Sequence, residues 1–288
     1  RREEYPIGSP PEKVSFLTCG VDVQKDRLEA QVVGWGKGKE SWVTDYRVFP
    51  GDTSDLSQAG PWENIRKLLQ ETWKRADGAL LSLRMVAIDS GFNTQSVYDF
   101  VRGFPSNRVI ATKGEDHLQM LISTPSAVDV KLNGRKIRRG LKLWRIGASV
   151  AKSELYGQLK LEKPTDTELA LHGYPPSFIH FPQFDEEYFK QITAEQLIRK
   201  LVKGFTRFEW IKAYERNEAL DTFILARVSA SIVGMDRFTD SQWEEMRGYS
   251  IPIEKKSEGN TRSSSPNQTE SQVNQGAKKP QRKRSSFW

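Results

Sequence analysis

Cysteine is almost absent. The 288 residues contain one, Cys19, and three histidines. A single cysteine excludes an intrachain disulfide and a multi-cysteine zinc site, and it fits a reducing compartment. Long uncharged apolar runs are missing as well; none approaches the roughly 20 residues that cross a bilayer, so no membrane partner is expected. Arg1-Arg2-Glu3-Glu4 is not followed by an apolar segment, so no signal peptide is expected. No G-x-x-x-x-G-K-[ST] occurs, and no helix is expected after Gly36-Lys37-Gly38-Lys39, which reads as a hairpin turn. The net charge of +7 is unevenly placed. Of 44 Lys and Arg and 37 Asp and Glu, nine and three fall from Arg247 onward, leaving 35 against 34 elsewhere. Net charge therefore does not argue for nucleic acid; local patches must.

What is there begins with Phe16-Leu17-Thr18-Cys19-Gly20-Val21-Asp22, a short apolar run that ends in a carboxylate. Residues 1–14, charged and rich in proline, read as a linker. Strands are expected at 16–23, 27–36 and 40–48, the first buried on both faces. Pro61 opens a helix with Trp62, Ile65, Leu68, Leu69 and Trp73 on one face. Leu83 to Asp89 is a second buried strand ending in an acid. Asn93 or Thr94 caps the next helix, and the strand Arg108-Val109-Ile110-Ala111 leads to Lys113-Gly114. This order predicts an α/β fold: a mixed sheet, antiparallel meander first and parallel strands after, flanked by helices.

Asn133-Gly134 marks a hairpin. Around it Lys131, Arg135, Lys136, Arg138, Arg139, Lys142 and Arg145 occur with no acid among them. Such a run either blunts a sheet edge or grips phosphates, and the lack of anions favours the grip. A helix near 148–158, a proline-rich loop holding His172, a strand at 177–182 holding His180 and an aromatic strand or turn at 205–210 follow. Neither histidine has partners that make a convincing metal site. Asn217-Glu218-Ala219-Leu220-Asp221 opens a long apolar helix whose first turn carries Glu218 and Asp221 on one face. Beyond residue 248 the composition collapses to small polar and basic residues, and 249–288 is expected to be a disordered basic tail.

Asp22, Asp89 and Asp221 stand out by position. Neighbouring strands bring the first two to one sheet edge, and a helix across that edge brings the third, with Glu218 beside it. Clustered carboxylates repel unless cations neutralise them. Oxygen ligands without cysteine favour Mg²⁺ or Mn²⁺, and two such ions promote phosphodiester hydrolysis.

Gly20-Val21-Asp22-Val23-Gln24, Ala87-Ile88-Asp89-Ser90-Gly91, Thr112-Lys113-Gly114, His180-Phe181-Pro182 and Arg216-Asn217-Glu218-Ala219-Leu220-Asp221 resemble, in order and spacing, the nuclease domain of the lambda-type phage terminase large subunit. The resemblance covers residues 16–246. It implies an RNase H-like fold over 15–248 and metal-dependent cleavage of double-stranded DNA during genome packaging in the cytoplasm of the bacterial host. It also implies Asp22, Asp89 and Asp221 as ligands and Lys113 as a supporting cation. The partners it implies are duplex DNA, an ATPase domain, a small terminase subunit and a portal protein met by the C-terminal tail. The ATPase half is expected to be absent from this chain. A junction-resolvase or transposase-like nuclease and a non-catalytic DNA-binding or docking module are the competing readings.

Overall fold

The computed structural model describes residues 1–132 and 135–247. The expected tail, 249–288, and the hairpin tip Asn133-Gly134 lie outside them. Nine strands form one mixed sheet in the order β7-β8-β6-β5-β1-β2-β3-β9, with β4 (Thr72–Lys74) paired to β5 beside this path. The strands β1 (Phe16–Val23), β2 (Arg27–Trp35) and β3 (Ser41–Pro50) make the antiparallel meander. Next, β5 (Leu80–Asp89), β6 (Val109–Glu115) and β8 (Arg135–Gly147) extend the sheet in parallel from β1. β7 (Ser126–Leu132) pairs antiparallel with β8, closing at Leu132↔Arg135, and β9 (Ile179–His180) lies parallel to β3. This is the architecture of an RNase H-like fold with an inserted basic hairpin.

Helices cover both faces. α1 (Trp62–Gln70) and α2 (Thr94–Arg102) bury Trp62, Ile65, Val97 and Phe100 against Leu17, Cys19 and Val21. On the other face lie α3 (Ala148–Leu159), α5 (Glu186–Ile192) and α6 (Glu218–Val233). They bury Ala151, Leu155, Tyr188, Phe223 and Val228 with Phe16, Val33, Met85, Ala87 and Ile146. Each buried Val, Leu, Ile, Phe or Met among them contributes roughly 1.5–3 kcal/mol. Alternation along β1 sends Leu17, Cys19, Val21 and Val23 to the α1–α2 side. It leaves Phe16, Thr18, Gly20 and Asp22 toward α6. On β5 the same rule directs Met85, Ala87 and Asp89 to that face.

Gly20 decides how closely α6 lies on the sheet. A Cβ there would sit 2.0 Å from the Thr222 carbonyl oxygen and 2.6 Å from Leu225 Cβ. Its absence lets Thr18 Oγ1 donate to the Ala226 carbonyl at 2.8 Å, and Thr222 Oγ1 to Gln31 Oε1 at 2.9 Å.

Several elements depart from the sequence-based expectation. Trp73 lies on β4 opposite Leu81, not on the helix, because α1 stops at Gln70 and Glu71 turns extended. The segment around His172 is helical: α4 (Asp166–His172) starts with a capping box of Thr165 and Glu168 and stops at Gly173, whose φ is +73°. The strand at 177–182 is only two residues long, since Ser177 takes a φ of +65° and Pro182 follows. A strand not expected from the sequence, β10 (Glu195–Val202), pairs with β11 (Phe205–Lys212) in a separate hairpin. The last helix described is α7 (Asp240–Arg247).

Residues 1–14, read as a linker, are tied to the fold. The Glu3 amide donates to the Phe181 carbonyl and the Gly8 amide to that of Thr44, each at 2.8 Å. Glu3 and Glu40 hold the two ring nitrogens of buried His180 at 2.7 and 2.8 Å, and the imidazole stacks on Trp42. His180 is a buried clasp between the sheet edge and the N-terminal segment.

Candidate active site

β1 and β5 run parallel as far as Val21↔Ile88, so their next residues, Asp22 and Asp89, leave the sheet side by side. Asp221 comes down from the first turn of α6. All three aspartates line one cavity of about 280 Å³. Lys113 at the end of β6 and Lys152 on α3 line it as well, with Gly91, Gly114, Ile146 and Leu225 among the walls.

Each carboxylate is oriented by a neighbour. Gln24 Nε2 donates to Asp22 Oδ2 at 2.6 Å, and the Gly91 amide donates to Asp89 Oδ2 at 2.9 Å. Asn217 Nδ2 donates to Asp221 Oδ2 at 2.9 Å and to Glu195 Oε1 at 3.0 Å. Glu195 also takes a 2.6 Å bond from Lys152 Nζ. Burial, aided by the charges of Asp89, Glu218 and Glu29, pushes the Asp22 carboxyl up to about 6, against the hydrogen bond from Gln24. Asp221 is pushed up to about 8 by burial and by the charge of Asp22, with Lys152 opposing. Burial also raises Asp89, while the amides of Gly91 and Ser90 and the charge of Lys113 restrain it.

Glu218 is engaged elsewhere. Its carboxylate binds Arg27 and, at 3.4 Å, Arg216. The same two arginines hold fully buried Glu29, Arg27 at 2.6 Å and Arg216 at 2.7 Å, and Tyr46 donates to it too. Arg27 also pairs with Asp26 and Arg216 with Glu187, so this cluster brings two cations to four carboxylates. The aspartate cavity has Lys113 and Lys152 against its acids.

The donor chemistry around the cavity fits a hard divalent cation. Three carboxylates present oxygens of the kind such an ion takes, and their proton affinities are raised first of all by burial, which disfavours the charged form when no cation is beside it. Among the described residues no three Asp, Glu, His or Cys side chains are already grouped to hold an ion, so the aspartates line the cavity without closing on one point.

The basic hairpin β7–β8 forms one lateral end of the sheet, next to β6. Lys131, Arg135, Lys136, Arg138, Arg139 and Lys142 are exposed, and Arg145 is half-buried. Their charges are not equally free. Lys136 pairs with Asp129 at 2.9 Å, and Arg145 pairs with Glu115. Arg139, with a φ of +52°, donates its amide to Asp129 Oδ1, and the pairing register shifts beside it between Val128 and Val130. The strand alternation expected along β8 is therefore interrupted. Arg139 and Lys142 meet Arg102 of α2 around a second cavity of about 300 Å³.

Sequence reasoning missed Lys152, Glu195 and Arg102 at these places. No spacing rule links residue 152 to residues 195 and 217; α3, β10 and α6 meet only in the folded chain. Asn217 was visible as part of a motif, but its bridging of Asp221 and Glu195 was not.

A family model described as the terminase large subunit gpA, endonuclease domain, matches residues 1–243. The terminase large subunit of Escherichia phage lambda is 30% identical over 248 residues, covering 84% of this chain and 35% of that protein. The terminase large subunit of Enterobacteria phage P21 is 28% identical over 219 residues, covering 75% of this chain and 32% of that protein. The chain thus spans about a third of the length of these relatives. No solved structure gives a significant match. Among the described residues no helix is long and apolar enough to cross a membrane.

Proposed function

The chain belongs to the family of the terminase large subunit gpA endonuclease domain, and from that premise we propose that it cuts double-stranded DNA by metal-dependent phosphodiester hydrolysis during phage genome packaging. The observation that carries this reading is the convergence of Asp22, Asp89 and Asp221, from two strand ends and one helix, on a single cavity that also holds two lysines. Asp22, Asp89 and Asp221 are assigned to hold Mg²⁺ or Mn²⁺, two ions in all, with Glu218 as a reserve carboxylate on the same helix turn. When bound, the ions supply Lewis-acid stabilisation of the phosphate and an activated water.

The chain's own residues do the rest. Gln24, Gly91 and Asn217 fix the carboxylates before DNA arrives, so little reorganisation is needed during the reaction. Lys113 faces the cavity from β6 and offers a fixed positive charge to the scissile phosphate. Lys152 stands on the far wall as the cation of an ion pair with Glu195. The cations of β7–β8 grip the duplex backbone without reading sequence.

The partners in this reading are duplex DNA, the ATPase portion of a longer large subunit, a small terminase subunit and a portal protein. The setting is the host cytoplasm.

Plasmid digestion with Mg²⁺, with Mn²⁺ and with a chelator tests the reading on the wild type and Asp22→Asn. Cutting by the wild type that needs the metal and fails in the variant is expected. Cutting that ignores the chelator, or an active Asp22→Asn, would overturn it.

A further inference from the structure

The β10–β11 hairpin forms a two-stranded sheet of its own. Its turn, Lys203-Gly204, has positive φ at both residues, as a tight primed turn needs. Toward that end Leu201, Phe205 and Phe208 are 74, 75 and 67% exposed. Leu201 and Phe208 share one face and Phe205 lies on the other; leaving such large apolar side chains in water marks a surface with an occupant.

The pairing says which face is which. Directly opposed residues share a face: Glu195 with Lys212, Leu197 with Trp210, and Arg199 with Phe208. At its base this face reaches the aspartate site through Glu195, which binds Lys152 and Asn217. Midway, Trp210 donates to Ser149 Oγ at 3.1 Å and packs on Tyr156, which fixes the hairpin against α3. Further out the face presents Phe208 beside Arg199. A cavity of about 800 Å³ opens beside it, lined by Phe208, Trp210 and Ser149, with Arg207 and the acids Asp116 and Glu209 also on its walls. Lys152 lines both this cavity and the aspartate cavity, so the two adjoin.

Charge selects the occupant. Of the five cations between Gln196 and Lys212, Arg199 and Lys212 lie on the face of Phe208, Lys203 at the turn, and Lys200 and Arg207 on the other face, where Lys200 pairs with Glu209 at 2.7 Å. An acidic peptide would satisfy the cations and leave the rings in water. An apolar segment would cover the rings and strand the cations. Unpaired nucleotides offer an anionic backbone and a flat π-face at each step.

We propose that the β10–β11 arm is a base-stacking platform that captures unpaired nucleotides of the DNA strand next to the aspartate cavity, with Phe208 under a base and Arg199 on the adjoining phosphate. It rests on the nuclease reading for its substrate. It differs from the β7–β8 grip because it distinguishes unpaired from paired DNA.

Binding is measured by fluorescence anisotropy on the full chain in chelator, so nothing is cut. The probes are a blunt duplex and the same duplex carrying an unpaired tract with 2-aminopurine. Phe208→Ala is expected to weaken binding to the unpaired tract by about 5- to 150-fold, the equivalent of one base stacked on an aromatic ring. Blunt-duplex binding should stay within about twofold. Phe208→Trp should restore the tract affinity, and the 2-aminopurine quench of the wild type should vanish in Phe208→Ala. Equal losses on both DNAs, or no loss on the tract, would overturn the proposal. So would unchanged DNA binding with an altered sedimentation coefficient, which would make the arm a protein interface. Metal-dependent plasmid cutting by the same preparations separates the two ideas. Normal cutting with no Phe208 effect refutes the arm alone, whereas Phe208-dependent binding without cutting refutes the nuclease reading alone.

Discussion

Gly20→Ala is the sharpest test of how the fold builds the aspartate site. The added methyl would stand 2.0 Å from the Thr222 carbonyl oxygen, 2.6 Å from Leu225 Cβ and 2.8 Å from the Ala226 nitrogen. Two of these are backbone atoms of α6, so no side-chain rotation relieves the clash. Ordinary contact begins near 3.4 Å, so α6 or β1 must move by about 1.4 Å, the difference between 3.4 and 2.0. Overpacking on this scale costs about 1–3 kcal/mol. The shift also breaks or stretches the bonds from Thr18 to Ala226 and from Thr222 to Gln31, at roughly 1 kcal/mol each. A loss of about 3–5 kcal/mol in urea unfolding is expected. Asp221 rides on the displaced helix, so plasmid cutting should fall by roughly 10²-fold, as misplacement by about an ångström does elsewhere. Gly157→Ala serves as the control: a Cβ there meets nothing within 4 Å on α3, and it should stabilise slightly, by about 0.5–1 kcal/mol. A Gly20→Ala protein that unfolds with the wild type and cuts within twofold of it would refute the close approach of α6 and its part in placing Asp221.

Asp22→Asn and Asp89→Asn should each abolish metal-dependent plasmid cutting while the circular dichroism spectrum is kept; a near-wild-type rate in either variant with Mn²⁺ present counts against a shared site. His180 supplies a pH dependence. Burial alone would lower its pKa, but the hydrogen bonds and charges of Glu3 and Glu40 more than offset this and leave it raised above the ordinary value. The stability it contributes is therefore fully present below about pH 6.5 and is lost as pH rises through the raised folded value. The gap in urea midpoint between wild type and His180→Gln should shrink on going from about pH 5.5 to about pH 9, and a pH-independent gap would deny the charged clasp. Neutralising Arg135, Lys136, Arg138 and Arg139 together should make the slope of log affinity against log salt shallower by roughly 0.9 for each phosphate no longer neutralised. Lys136, already paired with Asp129, should account for the least of that change, and an unchanged slope returns the hairpin to a charged sheet edge.

The alternation of buried and polar residues, the strand-terminal positions of Asp22 and Asp89, and the Asn-Gly hairpin signal lie in local sequence, because strand period and turn chemistry act over a few residues. They are enough to predict the meander, the parallel strands after it and the acidic edge. The capping box at Thr165 and Glu168 is equally local, but the glycine and prolines after it point the other way, toward a loop. β10 escapes sequence reasoning because Lys203 stands where a primed turn usually carries Asn, Asp or Gly, so the hairpin lacks its punctuation.

Other features have no local signal at all. That Glu218 turns to Arg27 and Arg216 while Asp221, three residues on in the same turn, faces the cavity depends on how α6 rotates over β1. That Lys152 meets Glu195, and that His180 clasps Glu3 across 177 positions, depends on which distant elements the sheet brings together. Acids at strand ends, cations on a hairpin and apolar faces of helices are legible along the chain, since they follow from near neighbours. Which carboxylates share a cavity and which are already paired is settled by the folded arrangement, because burial and Coulomb interaction depend on distance through space.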